Sequence, residues 1–193
     1  MPIKYDTIGT SYNATRQADP YITTRLLSLL RAKKDEVYLD LGCGTGNYTA
    51  ALAEKGLKFV GAEPSETMLK AARERNQNIR WLAGTGELIP TDDGIFGGII
   101  ATLTIHHWSD LTKAFLEISR VLTANGRLII FTSTPEQMKS YWLTYYFPKM
   151  LRASIVQMPS LHHIREAAEK ADLQIGDLEK IFYQERPSRL LTK

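Results

Sequence analysis

Short apolar runs that alternate with helical patterns constrain this chain more than any other feature. Val37–Leu41 reads as a buried strand ending in Gly42, and Asn47–Lys55 as a helix closed by Gly56. Lys58–Ala62 reads as a second strand. Ser65 can cap a helix running to about Asn76, with Met68, Leu69 and Ala72 on one face. Ile79–Ala83 and Gly98–Leu103 read as the third and fourth strands. Asp110–Leu122 is the clearest helix, with Leu111, Ala114, Phe115, Ile118, Val121 and Leu122 on one side and Asn125-Gly126 as its stop. Arg127–Thr132 reads as a fifth strand, Ser160–Ala171 as a helix and Gln174–Tyr183 as a sixth strand. Ahead of all these, Asp19-Pro20 reads as N-cap and first helical residue, followed by Ile22, Leu26, Leu27, Leu29 and Leu30 at helical spacing. Such alternation with short connections implies a doubly wound, mostly parallel α/β sheet covered on both faces. Folds of this kind bind ligands beyond the carboxyl ends of their strands. The residues just after each strand therefore carry the functional reading.

After the first strand the chain reads Asp40-Leu41-Gly42-Cys43-Gly44-Thr45-Gly46-Asn47. Glycines at every second position let backbone approach a ligand and turn tightly into a helix. A dinucleotide site wants G-x-G-x-x-G, and its third glycine would fall where Asn47 stands. Asp40 also opposes a pyrophosphate and suits a ligand carrying positive charge. S-adenosylmethionine has a sulfonium and an ammonium, and no phosphate. Glu63 closes the second strand, and a carboxylate there can accept both hydroxyls of a ribose. A nicotinamide-dependent oxidoreductase is the competing enzyme class, and Asn47 and Asp40 count against it.

Composition narrows the rest. With 193 residues the chain is one domain by length and buries roughly 70% of its unfolded surface. Its 24 Lys and Arg against 21 Asp and Glu give a net charge of +3, too little for a dedicated nucleic-acid surface. The single cysteine, Cys43, excludes a disulfide framework, a Cys-based zinc cage and a CxxC redox pair. It also sits in the glycine loop, away from any role in thiolate-dependent metalloid methylation. The longest apolar stretch, Ile95–Ile105, is far below the ~20 residues that span a bilayer. MPIKYDTIG lacks the apolar core of a secretory signal, so a cytoplasmic protein without a membrane span is expected.

Four segments together resemble the class I S-adenosylmethionine-dependent methyltransferases, in particular the subgroup of ubiquinone- and menaquinone-biosynthesis enzymes. VYLDLGCGTGNYT is similar to the family's first motif, and VGAEPSETML to its second. TIHHWSDLTKAFLEISRVLTANGRLIIF is similar to the stretch through the fourth and fifth strands, and YDTIGTSYNATRQADPYI to an N-terminal cap. The resemblance implies a Rossmann-like fold binding S-adenosyl-L-methionine. Asp40, Gly42, Cys43, Gly44 and Gly46 would pass beneath the methionine moiety. Glu63 would hold the ribose, and Pro64 and Met68 would flank the adenosine. Thr85, Gly86 and Glu87 would stand on the adenine side, with Thr102 joining the set from the fourth strand. Tyr12 and Arg16, with Tyr5, would close over the methionine end. Two positions depart from the family. Gly84-Thr85-Gly86-Glu87 stands where Gly-Asp-Ala-Glu is usual, and Phe96-Gly97 where Phe-Asp is usual.

His106 and His107 follow the fourth strand, and His106 is the first candidate for a general base. One ring packing beside the cofactor while the other caps a turn is the preferred reading of the pair. His162 and His163 read as surface or capping residues, and no metal site is expected. The reading is one domain over 1–193, with a cap at 1–19 and a substrate-covering insert at 134–159. The aromatic run Tyr141–Pro148 within the insert would favour a flat or apolar small acceptor, and a core-packing or dimer-forming helix accounts for it equally. The chain would transfer a methyl group to that acceptor, or alternatively bind the cofactor or its demethylated product without transfer, as a sensor or partner subunit. After Thr132 only one further strand is expected where the fold usually has an antiparallel pair.

Overall fold

The structure, a computed structural model, describes residues 17–139, 146, 154–176 and 178–181. Tyr5, Tyr12, Arg16 and most of the aromatic run at 141–148 lie outside these residues. Among the described residues a sheet of five parallel strands runs in the order β3-β2-β1-β4-β5. The strands are β1 (Val37–Leu41), β2 (Lys58–Glu63), β3 (Arg80–Ala83), β4 (Phe96–Thr102) and β5 (Leu122–Phe131). The helices are α1 (Pro20–Leu30), α2 (Asn47–Ala53), α3 (Glu66–Arg75), α4 (Leu111–Val121), α5 (Pro135–Lys139) and α6 (Leu161–Lys170). No helix among the described residues is long and apolar enough to cross a membrane.

Side chains sort onto the two faces with the strand period of two. Tyr38, Phe59 and Ile100 pack with Leu26 and Leu30 of α1 and Leu52 of α2. Their neighbours Leu39, Val60 and Ile99 pack on the opposite face with Ile118 and Val121 of α4. On that face Leu128 and Ile130 of β5 also meet a cluster formed by Phe115 of α4 with Ala167, Ala168 and Ala171 of the α6 segment. Side-chain caps hold these helices, those expected at Asp19 and Ser65 and two more at Asp110 and Ser160. Asp19 accepts from the amides of Tyr21 and Ile22. Ser65 accepts from Met68, Asp110 from Lys113 and Ser160 from His163. Each satisfies amide groups that a first helical turn leaves without partners.

Two expectations need correction. Asn125-Gly126 does not separate a helix from the fifth strand, because β5 already begins at Leu122, which pairs with Phe96. The next pairing joins Gly98 to Arg127, so Thr123–Gly126 is an outward bulge, with Asn125 in the left-handed region at φ 101°. The sixth strand expected over Gln174–Tyr183 is not formed at its described residues, which carry no strand. Ile175 and Leu178 remain exposed there, so the apolar residues of this stretch are not buried as those of a sheet strand would be.

Strand order places the reversal of winding between β1 and β4. From β1 the chain moves outward through β2 and β3, then returns to β4 on the other side. A crevice opens at such a switch point, beyond the carboxyl ends of the two diverging strands. The Gly42–Gly46 loop and the turn after Thr102 both lie there.

Candidate functional site

The glycine loop follows β1 and is fastened to β2. Gly42 and Cys43 both donate to the carbonyl of Ala62, at 2.8 and 3.1 Å, and Gly46 donates to the carbonyl of Cys43 at 3.0 Å. Arg75, from the end of α3, donates through Nε to the carbonyl of Thr45 at 2.9 Å. Gly42, Gly44 and Gly46 all have positive φ, at 72°, 55° and 75°. Their missing side chains serve different ends. A Cβ on Gly42 would stand 2.0 Å from Thr104 Oγ1, and one on Gly46 would stand 2.4 Å from the Trp81 ring. Those two glycines are required by the protein's own packing. At Gly44 nothing among the described residues lies within 4 Å of the Cβ position. That glycine leaves the loop open to an incoming molecule.

Two carboxylates stand behind the loop. Glu63, 7% exposed, accepts from the Gly44 amide at 3.1 Å and the Ser65 amide at 3.0 Å. Its position at the end of β2 thus ties the loop to the start of α3. Asp40, 2% exposed, accepts from the Thr49 hydroxyl at 2.6 Å. Burial pushes the Asp40 carboxyl up to about 7; the Thr49 bond opposes that, and the charge of Glu63 reinforces it. Burial, then the charges of Asp40 and Glu63, also push the Cys43 thiol well up, so it stays protonated and is no nucleophile. A site with this charge fits a positively charged ligand and disfavours an anion.

The turn after β3 forms the next wall. Thr85 and Leu88 exchange amide-to-carbonyl bonds at 3.0 and 3.4 Å, and the Thr85 side chain is exposed. Gly86 is buried against Trp108, whose indole would be 2.8 Å from a Cβ there. Glu87 Oε1 accepts from the Ser109 amide, the Ser109 hydroxyl and the Asp110 amide. Pro64 is exposed beside Glu63, whereas Met68 is 3% exposed and belongs to the core. At the end of β4, Thr102 Oγ1 is buried with no hydrogen-bond partner among the described residues, and so is Asn47 Oδ1. Buried polar atoms of this kind are uncommon and point to a bond made to something else.

His106 and His107 form a 3-10 turn after β4, their rings 3.9 Å apart and tilted by 49°. His106 is half-buried and His107 exposed. His162 and His163 lie at the start of α6, exposed. The structure therefore brings Asp40, the loop glycines, Glu63, Thr102 and His106 to one end of the sheet. Sequence reasoning missed Thr49, Arg75 and Trp81, which hold the loop from below. Only Trp81 left a trace, as a large ring in a short strand next to one that contains Gly61. A cavity of about 290 Å³ lies at the opposite end, beside Val37, Arg80 and Phe96 at the starts of β1, β3 and β4.

Residues 39–130 match the model of a methyltransferase domain family. The chain is 32% identical over 129 residues to an uncharacterized methyltransferase of Mycobacterium tuberculosis, covering 67% of this chain and 53% of that protein. It is 31% identical to a demethylmenaquinone methyltransferase of Corynebacterium kroppenstedtii, covering 77% of this chain and 66% of the relative. Among solved structures it is similar to a candidate methyltransferase from an antibiotic biosynthesis pathway of Anabaena variabilis. That match has a TM-score of 0.73 and 31% identity, over 81% of this chain and 62% of the other. The chain spans about half the length of the first curated relatives it matches.

Proposed function

We propose that this chain, whose residues 39–130 belong to the methyltransferase domain family, binds S-adenosylmethionine at the β1–β4 switch point and methylates a small acceptor. The observation that carries this reading is the open Gly44 backed by two buried carboxylates, Glu63 and Asp40. When bound, S-adenosylmethionine supplies a methyl group already activated by its sulfonium.

The protein's work is then to bind, align and exclude water. Glu63 holds the ribose hydroxyls with the same carboxylate that fixes the Gly44 amide. Asp40 favours the cationic end through its field, since it is too buried to touch a ligand. The loop from Gly42 through Cys43 and Gly44 to Gly46 lies beneath the methionine portion, with Asn47 and Thr102 offering polar atoms beside it. Thr85 and Gly86 form the adenine-side turn, with Glu87 anchoring it and Pro64 on the adenosine flank. Tyr12 and Arg16, which lie outside the described residues, are proposed for the methionine end. Alignment of an acceptor against a reactive group contributes several kcal/mol to such reactions. An acceptor that must lose a proton gives it to His106. The Nδ1 of that ring is buried, so the proton is taken at Nε2.

The role proposed for segment 134–159, part of which lies outside the described residues, is with an acceptor of aromatic or apolar character, and neither nucleic acid nor metal takes part. The protein works in the cytoplasm. The second reading is a domain that binds S-adenosylmethionine without transferring its methyl group. Thr85, an exposed hydroxyl where relatives of this kind carry a carboxylate, favours it. The test is S-adenosylhomocysteine release from the full chain with a panel of phenols, quinols, amines and carboxylic acids. Acceptor-dependent release supports transfer; tight cofactor binding with no release from any acceptor supports the second reading.

A further inference from the structure

The stretch that returns from β3 to β4 contains no helix, yet it is bonded along nearly its whole length to α4. At its far end Gly94 and Ile95 donate to the carbonyls of Arg120 and Val121, each at 2.9 Å. In the middle, Ile89 donates its amide to Glu117 Oε1 at 2.7 Å. Arg120 donates to the carbonyls of Ile89 and Thr91 and to the Asp93 carboxylate. At the near end the fastening is Glu87. Its Oε1 collects the Ser109 amide at 2.5 Å, the Ser109 hydroxyl at 2.9 Å and the Asp110 amide at 3.1 Å. These donors immediately precede α4, where a carboxylate is also favoured by the helix dipole.

The near end carries the two walls of the crevice. Residues 85–88 form the turn on the adenine side, and Ile105–His107 form the turn that presents the histidines. Trp108 lies between them, its indole against Gly86. One carboxylate oxygen therefore ties the adenine-side turn to Ser109 and Asp110, which follow the histidine turn after Trp108, across 22 and 23 positions of sequence.

We infer that Glu87 is a positioning residue, whose carboxylate sets the separation between the adenine-side turn and the His106–His107 turn. The inference rests on the S-adenosylmethionine site proposed above and assigns Glu87 to the frame of that site. A weaker fastening would let the histidine turn drift from the bound cofactor while the Glu117–Arg120 end stays closed. Burial works to raise the Glu87 carboxyl, but the bonds from Asp110 and Ser109 outweigh it and hold the group below the usual carboxylate range. The group is therefore ionised, and its bonds charge-assisted, at neutral pH.

The test uses Glu87→Ala and Glu87→Gln in the full chain. The glutamine retains an acceptor oxygen of the same reach; the alanine has none. Amide hydrogen exchange at Ser109 and Asp110 and the His106 and His107 ring signals report the frame without ligand. Calorimetry with S-adenosylhomocysteine reports the site. Glu87→Ala is expected to speed exchange at both amides at least tenfold, shift both ring signals and weaken binding at least fivefold. Glu87→Gln is expected to restore binding to within about threefold of the wild type. Equal loss in both variants with unchanged exchange would make Glu87 a direct ligand of the cofactor and overturn the inference. Unchanged exchange and ring signals in Glu87→Ala would also overturn it. If Glu87→Ala does not fold, Ser109→Ala removes one of the three bonds and must show the same effects in smaller measure. If the wild type binds no S-adenosylhomocysteine, the site proposal fails, while exchange and ring signals still decide the frame.

Discussion

Replacing Gly44 and Gly46 by alanine, one at a time, separates a glycine kept for a ligand from one kept for packing. Both have positive φ, 55° and 75°, so each alanine incurs the left-handed strain of about 1–2 kcal/mol. At Gly44 the new methyl meets nothing within 4 Å among the described residues, and strain is the cost that remains. At Gly46 it would stand 2.4 Å from the Trp81 ring, which is held by its own bond to the Asn76 carbonyl at 2.9 Å. Overpacking of this kind adds about 1–3 kcal/mol, for a total of roughly 2–5 kcal/mol. In chains of this size each kcal/mol moves the melting temperature by about 2–4 °C. Gly44→Ala should therefore melt about 2–8 °C below the wild type, and Gly46→Ala lower still. Binding should rank the other way, because the Gly44 methyl projects into the open side of the loop. Gly44→Ala should lose at least tenfold in S-adenosylmethionine affinity, about 1.4 kcal/mol. Differential scanning calorimetry and titration calorimetry on the same samples read both quantities. The reasoning fails if Gly46→Ala melts no lower than Gly44→Ala, or if Gly44→Ala binds as the wild type does.

The remaining predictions concern Asp40, Trp81 and Phe115. Burial holds the Asp40 carboxyl at about 7 against 3.8 in the unfolded chain, so between these values the folded chain carries a proton that the unfolded chain has lost. Its contribution to stability therefore falls as pH rises from about 4 to 7 and levels off above that. Melting curves of Asp40→Asn should lack this slope and show a gain over the wild type at pH 8, while cofactor affinity drops. Gly61→Ala would bring a Cβ to 2.4 Å from Trp81 and should cost about 1–3 kcal/mol in urea unfolding. In a Trp81→Leu background most of that cost should vanish, a coupling of about 1 kcal/mol or more in the double-mutant cycle. Phe115, 1% exposed, joins α4 to Ala167, Ala168 and Ala171, and Phe115→Ala should cost about 3–5 kcal/mol in the same assay.

What the sequence disclosed follows from the range of the forces involved. The strand runs and caps are local, and β1 spans the same Val37–Leu41 in sequence and structure. The order of loop, carboxylate and histidine pair is also local, since each follows directly on its strand. Asn125-Gly126 misled because that pair usually stops a helix, whereas here the left-handed Asn125 lets β5 bulge between its pairings with β4. The strand expected over Gln174–Tyr183 is absent at its described residues, where Ile175 and Leu178 stay exposed and no burial rewards an extended segment. Glu87 was legible as part of a motif, but not its partners Ser109 and Asp110, because no local pattern links positions so far apart. The supports beneath the loop, Thr49 on Asp40 and Trp81 beneath Gly46 and Gly61, are legible only once the sheet order is known.

The central claim is that the β1–β4 crevice takes a cationic adenosine ligand held by Glu63. Titration calorimetry of the full chain with S-adenosylmethionine, S-adenosylhomocysteine and NAD, repeated with Glu63→Ala, tests it directly. The account predicts micromolar binding of the two sulfur compounds, none of NAD, and at least a tenfold loss in the variant. Binding of NAD, or binding of S-adenosylmethionine indifferent to Glu63→Ala, would contradict it.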